Sequence, residues 1–141
     1  MTGAVVVVVV LGAATALGLW WQRTGRRLNR PLKAAAADRT VLGREDLGAE
    51  LGERATLVQF STVFCQPCRA TRRILDEVSA LVPGVTHVEV DAESNLELVR
   101  RLDVRRTPTV LVLDSEGAVV RRASGAPRKV DVLAALGEAV R

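Results

Sequence analysis

The sequence predicts an α/β domain with a mixed central sheet flanked by helices, preceded by one N-terminal transmembrane helix. Three observations lead there: an uncharged apolar run at the N-terminus, strand-like and helix-like segments alternating beyond residue 40, and two cysteines where a strand meets a helix. The 141 residues, 48% of them hydrophobic, suffice for one small domain. Lys and Arg number 20 against 16 Asp and Glu, but the first thirty residues hold four Arg and no acid, so the remainder is neutral. A nucleic-acid module needs its cationic surplus on the folded part, where it neutralises phosphates, so no nucleic acid is expected as a partner. Two Cys and one His neither build a disulfide scaffold nor complete a four-ligand zinc site within one chain.

Gly3 to Trp21 contains six consecutive valines and no charged side chain. At about 1.5 Å per residue this run makes a helix about 28 Å long, close to a hydrocarbon core of about 30 Å. Trp20 and Trp21 suit the lipid–water interface at its end. A cleaved signal peptide is the rival reading, since Ala14-Thr15-Ala16 resembles a cleavage site, although no Lys or Arg precedes the run. Arg23, Arg26, Arg27, Arg30 and Lys33 follow it. Because positive flanks stay inside, a single-pass cell-membrane protein with its C-terminal domain in the cytoplasm is expected, the extracytoplasmic orientation being the alternative. The same cations suit anionic headgroups. The organisation expected is an anchor over 1–22, a basic juxtamembrane linker over 23–39, its end from Pro31 a tether without a packed pattern, and a folded domain over 40–141.

Within that domain, Thr40 to Leu42 reads as a short strand and Glu45 to Leu51 as a short helix. Thr56 to Phe60 is apolar on both alternating faces except at Gln59, the pattern of a central strand covered on both sides. Ala70, Ile74, Val78 and Leu81 then recur at helical spacing, with charged residues opposite, until Pro83-Gly84 stops the helix. Val85 to Val90 alternates as a strand ending at Asp91, and a helix follows from about Ser94 to Leu102. Pro108 opens the β-branched run Thr109 to Leu113, which the turn Asp114 to Gly117 joins to Ala118–Arg122 as a hairpin. A last helix, about Val130 to Val140, is expected to bury Leu133, Leu136 and Val140. Both crossovers are expected to return parallel strands, and the last pair to be antiparallel.

The chemistry sits in Phe64-Cys65-Gln66-Pro67-Cys68. Two cysteines three apart in a first helical turn can close a small disulfide ring, and the first faces unpaired backbone N–H groups at the positive end of the helix dipole. A thiolate is favoured there, so Cys65 would attack and Cys68 would resolve. Pro67 loses no intrahelical bond and stiffens the ring. A metal half-site shared between two chains and a pair of inert buried thiols are the competing readings.

These features together resemble the thioredoxin family over roughly residues 40–141: the apolar strand leading into Cys-x-Pro-Cys, a strand ending in Asp91, Thr107-Pro108-Thr109 before the next strand, the Gly117 hairpin, and Gly125 before the last helix. The resemblance implies a thioredoxin-like fold and thiol-disulfide oxidoreductase activity. It implies that Pro108 is cis and packs against the disulfide, and that the backbone of Thr107 pairs with an extended substrate; a trans, strand-initiating Pro108 is the plain alternative. Phe64, Gln66 and Pro67 would complete the substrate contact. Phe64 replaces the family's usual Trp, Gln66 its Gly, and Arg73 a helix-kinking Pro. Gln59 stands where the family buries an acid that moves a proton at the resolving sulfur. His87, four before Asp91, falls where many bacterial members carry a Lys near that acid. From this comes the expectation that Gln59 and His87 form a neutral hydrogen-bonded pair and that His87 serves Cys68 as a proton relay, against a strand His without a role.

No nucleotide, flavin or metal signature is present, so no cofactor is expected beyond the Cys65–Cys68 disulfide itself, with electrons arriving from an upstream dithiol donor and leaving to protein disulfides. Arg105 and Arg106 would sit beside the substrate-pairing segment Thr107–Pro108, as acid-seeking or merely solvated cations. Three functions fit: a membrane-anchored reductant of protein disulfides, an extracytoplasmic exchange protein of the cytochrome-maturation type, and a tethered interaction module without turnover.

Overall fold

A computed structural model describes residues 2–25, 33–34 and 40–141, with side chains over 2–20 and 40–141. The chain divides into two units, Met1–Arg30 and Pro31–Arg141. In the first, α1 (Thr2–Gly25) is one uninterrupted helix. Its stretch Thr2–Trp20 has a mean hydropathy of 2.3, long and apolar enough to cross a membrane and also of the kind a signal sequence carries. Thr15 donates its hydroxyl to the Leu11 carbonyl at 2.7 Å, so this polar side chain adds no unsatisfied donor to the helix surface. Arg26, Arg27 and Arg30, on which the expected orientation rests, lie outside the described residues, as do the side chains of Trp21, Arg23 and Lys33.

The second unit is a sheet between two layers of helix. Its elements are β1 (Lys33–Ala34), α2 (Arg44–Leu47), β2 (Ala55–Ser61), α3 (Gln66–Leu81), β3 (Val85–Asp91), α4 (Leu96–Arg101), β4 (Thr109–Asp114), β5 (Val119–Ser124) and α5 (Lys129–Ala139). The strands lie in the order β1-β5-β4-β2-β3. β2 is buried along its whole length, as its two apolar faces require. It runs parallel to β3, with Gln59 level with Glu89 and Ser61 level with Asp91. On its other side it runs antiparallel to β4, with Phe60 level with Thr109.

That pairing corrects the expected direction of the second crossover. The connection through α4 leaves β3 at Asp91, level with Ser61, and returns at Thr109, level with Phe60, so it comes back at the same end of the sheet on the other side of β2 and β4 points back along β2. Lys33 and Ala34 fall in the stretch expected to be a tether; they pair antiparallel with Arg122 and Arg121 and cover the edge of β5. The expected strand at 40–42 reduces to a single bridge between Val41 and Ala118, and the helix expected from Glu45 to Leu51 ends at Leu47, where Gly48 turns into the left-handed region.

Two cores result. Leu57, Val110 and Val112 pack under α3 and α5 through Leu75, Val132 and Leu136, while Val58, Phe60 and Leu111 pack on the other face with Leu42, Leu98 and Leu102. The helix phases differ from expectation. In α3 the buried stripe is Cys68, Thr71, Leu75 and Val78, and Leu81 is 64% exposed. Thr71 costs little to bury because its hydroxyl donates to the Pro67 carbonyl at 2.9 Å. In α5 Val132, Ala135, Leu136 and Ala139 face inward, and Leu133 is 39% exposed; small alanines let the helix seat closely.

The hairpin between β4 and β5 turns at Gly117, whose φ is +85° and where a Cβ would lie 2.2 Å from the Leu42 carbonyl oxygen. Gly125 has a φ of +100° but open space around the same position. Gly125→Ala is expected to cost about 1–2 kcal/mol of conformational strain, and Gly117→Ala distinctly more, read from urea unfolding midpoints. Equal losses would show that the close approach of Leu42 is not the constraint.

Candidate active site

β2 delivers the chain to one end of the sheet, and the loop Thr62–Phe64 carries it into α3. Cys65 is the N-cap of α3, and its sulfur accepts the Cys68 backbone N–H at 3.2 Å. Pro67 stands in the first turn, where an N–H has no intrahelical partner. Cys65 and Cys68 are joined in a disulfide with their Cα atoms 5.2 Å apart. The two sulfurs are not equivalent: Cys65 is half-buried, while Cys68 is 1% exposed. An attacking partner therefore meets Cys65 first. Phe64, 95% exposed, stands at the rim beside Val63, and Gln66 and Pro67 are exposed as well.

The Thr107–Pro108 bond is cis. Because Thr109 pairs with Phe60, Pro108 sits at the end of the ladder, at the edge where β2 gives way to the cysteine loop. Pro108 is buried and Thr107 half-buried. The Pro108 carbonyl accepts the Gly125 N–H at 2.7 Å, and Thr109 donates its hydroxyl to the Arg106 carbonyl at 2.6 Å, so the segment is held on both flanks.

Beneath the disulfide, Gln59 is fully buried. Its Nε2 donates to the Cys68 carbonyl at 2.8 Å, which leaves Oε1 without a partner among the described residues. His87 lies level with Leu57, two positions further along the sheet, and its Nδ1 bonds Asp76 Oδ1 at 2.7 Å. The expected pair of Gln59 with His87 is therefore not formed. Asp76 is eight residues beyond Cys68 on α3, about 12 Å along the helix, so His87 is engaged too far down the helix to relay a proton to that sulfur. Its Nε2 is buried without a partner among the described residues.

A cavity of about 370 Å³ opens beside the disulfide. Ser61 and both cysteines line it, together with Arg69 and Arg72 from α3 and Glu89 and Asp91 from β3. Arg72 and Glu89 form a bidentate ion pair. The hydrogen bond from Arg72 holds the Glu89 carboxyl below its ordinary range; partial burial opposes this, and a hydrogen bond from Ser61 assists it. The Asp91 carboxylate accepts the Glu93 N–H at 3.1 Å and the Ser94 hydroxyl at 2.7 Å. Sequence reading missed this group. Its signal was the register: residues on one face of β2 and β3 converge on the end of the strand that feeds the cysteines. Among the described residues no three His, Cys, Asp or Glu side chains gather as metal ligands.

The family model described as Thioredoxin matches residues 42–138. Among curated proteins, Thioredoxin H5 of Oryza sativa subsp. japonica is 34% identical over 77 residues, covering 55% of this chain and 56% of that one. Thioredoxin domain-containing protein 2 of Homo sapiens is 31% identical over 100 residues, covering 69% of this chain and 18% of its own length. The chain thus spans about half of the first of these and under a fifth of the second. Thioredoxin of Mycolicibacterium smegmatis is 31% identical over 90 residues, covering 62% of this chain and 80% of that one. Among solved structures, a mutant thioredoxin from Halobacterium salinarum covers 72% of this chain and 88% of its own, with a TM-score of 0.60 at 17% identity, a likeness of fold.

The Arg72–Glu89 pair carries a pH signature. A carboxyl whose folded-state value is lowered stabilises the fold above the ordinary value of about 4.3, and that contribution is lost as pH falls through the lowered value. Both partners are partly exposed, so the contribution is about 0.2–1 kcal/mol. Wild type is expected to exceed Arg72→Gln in unfolding free energy by that amount at pH 7, with the gap closing on acidification below pH 4. A constant gap from pH 7 to pH 3 would assign Arg72 to packing alone.

Proposed function

This chain belongs to the thioredoxin family, and from that premise we propose that it is a thiol-disulfide oxidoreductase that reduces protein disulfides from a membrane-anchored position. The observation that carries the reading is the Cys65–Cys68 bridge at the N-terminus of α3, with one sulfur reachable and the other buried.

In the reduced state the Cys65 thiolate lies at the positive end of α3, near the Cys68 N–H that its sulfur accepts in the disulfide. It attacks a substrate disulfide, one substrate sulfur leaves as a thiol, and a mixed disulfide joins Cys65 to the other. Cys68, giving its proton to solvent, attacks the Cys65 sulfur and releases the second substrate thiol. Two electrons pass to the substrate, the Cys65–Cys68 disulfide is regained, and an upstream dithiol donor restores the pair by the same exchange in reverse. Thr107 offers its backbone to an extended substrate, Pro108 lies against the sulfur pair, and Phe64, Gln66 and Pro67 form the rim a protein substrate covers. Gln59 acts as a positioning residue through the Cys68 carbonyl.

α1 supports anchoring by its length and composition, and the basic residues after it favour a cytoplasmic redox domain. Cys65→Ser is expected to abolish insulin reduction, whereas Cys68→Ser accumulates a covalent adduct between Cys65 and its substrate; equal insulin reduction by wild type and Cys65→Ser would leave an interaction module without turnover. In intact cells a membrane-impermeant thiol reagent is expected to leave Cys65 unlabelled until the membrane is opened. Labelling before opening would turn the domain outward, to the exchange role outside the cytoplasm.

A further inference from the structure

The connection from α4 into β4 is fastened at both ends by the chain of β5. At its far end the Gly125 N–H, just past β5, donates to the Pro108 carbonyl at 2.7 Å. At its near end the Arg122 guanidinium donates to two backbone carbonyls, Nη1 to that of Leu102 at 2.5 Å and Nη2 to that of Asp103 at 2.7 Å. The first tie is backbone to backbone. The second exists only because residue 122 carries a forked donor that spans two acceptors at once.

Leu102 is the C-cap of α4, and Asp103 follows it in the left-handed region with a φ of +50°. Carbonyls at a helix C-terminus lack intrahelical donors and carry its negative partial charge, so a cation is their natural partner. Arg122 is half-buried and forms no ion pair with a carboxylate among the described residues, whereas Arg121 beside it pairs with Glu138. Its charge is thus given wholly to the backbone of this connection. Beyond Asp103, Val104 is sunk in the core with Leu98 and Leu102, Arg105 makes an exposed pair with Asp103, and the next residues are Arg106 and Thr107.

Resting on the reading that Thr107 offers its backbone to an extended protein substrate, we propose that Arg122 is a positioning residue for that substrate. Its two hydrogen bonds keep residues 102–107 in the one arrangement that presents the Thr107 edge. Without them the connection samples other arrangements, and affinity for a protein falls by the fraction of time the competent one is populated. The sulfur chemistry is held separately, by β2 and α3, and does not depend on Arg122.

The test uses the full chain in detergent micelles, reduced with dithiothreitol and then freed of it. Oxidation of the reduced protein is followed against insulin concentration and against hydroxyethyl disulfide, which has no backbone to pair. Arg122→Met keeps an apolar stem and donates nothing. It is expected to lower the low-concentration rate with insulin about tenfold, as for a connection competent about one-tenth of the time. The limiting rate at high insulin and the rate with hydroxyethyl disulfide should stay at the wild-type value, the split that loss of binding alone produces. Arg122→Lys, which can reach one carbonyl, should recover part of the loss. Amide exchange at Asp103 and Val104, whose N–H groups are bonded to Arg100 and Val99, should quicken in Arg122→Met while that of Leu111 in β4 does not. An unchanged ratio of insulin to hydroxyethyl disulfide rates in Arg122→Met overturns the proposal and leaves the oxidoreductase reading standing. Should Arg122→Met fail to fold, the same unchanged ratio in Arg122→Lys overturns it. Wild type that reacts with neither disulfide removes the oxidoreductase reading itself.

Discussion

The first turn of α3 is held by Cys68, and the rest of the site depends on how completely that residue is fixed. Its side chain is in the core, its N–H is given to the Cys65 sulfur, its carbonyl is taken by Gln59 from below, and its own sulfur is bonded to Cys65. Two of these restraints come from Cys65 at the cap, one from Gln59 on the central strand and one from the core. Rotation of α3 about its axis would break the bond to Gln59 and withdraw Cys68 from the core together. The reachable position of Cys65 is therefore set by a buried strand and not by the exposed loop that carries it, as expected where a reactive group must be held in one geometry.

The sheet extends that restraint outward. β2 is central, so its last residues have a neighbour on each side: Pro108 through β4 and Asp91 through β3. Because β3 runs parallel to β2 and β4 antiparallel to it, the end of β3 and the start of β4 lie at the same end of the sheet as the cysteines. Strand direction thus brings three separated segments to one place. The cis Thr107–Pro108 segment stands on one side of β2 and the charged cavity beside Arg69 on the other.

Much of this was legible in the residues. The central strand could be read from two apolar faces, and the cysteine pair from its place at a strand-to-helix junction. What could not be read is instructive. Helix phase failed in α3 because Ala70 and Thr71 compete for the inward position, and the hydrophobic count favours the wrong one: Thr71 goes in because Pro67 supplies an acceptor for its hydroxyl. The strand at Lys33–Ala34 was hidden because its pairing answers the exposed edge of β5, a demand that its own composition does not state. The cavity was invisible for a similar reason. Ser61, Arg72, Glu89 and Asp91 are unremarkable one by one and converge only through strand register.

Gln59 decides how the site responds to pH. A carboxylic acid at that position would change the charge beneath the disulfide as it titrated; an amide cannot. Its Nε2 is committed to the Cys68 carbonyl, and the geometry of that bond fixes which end of the amide faces the helix. The buried layer under the sulfurs is accordingly neutral at every pH at which the protein is folded. His87 does not replace the missing acid, because its imidazole is tied to Asp76 about two turns further along α3. The ionisable groups that do face the disulfide are those of the cavity, where Arg72 keeps Glu89 charged and Asp91 is held by neutral donors. The strand beneath the sulfurs thus supplies position alone.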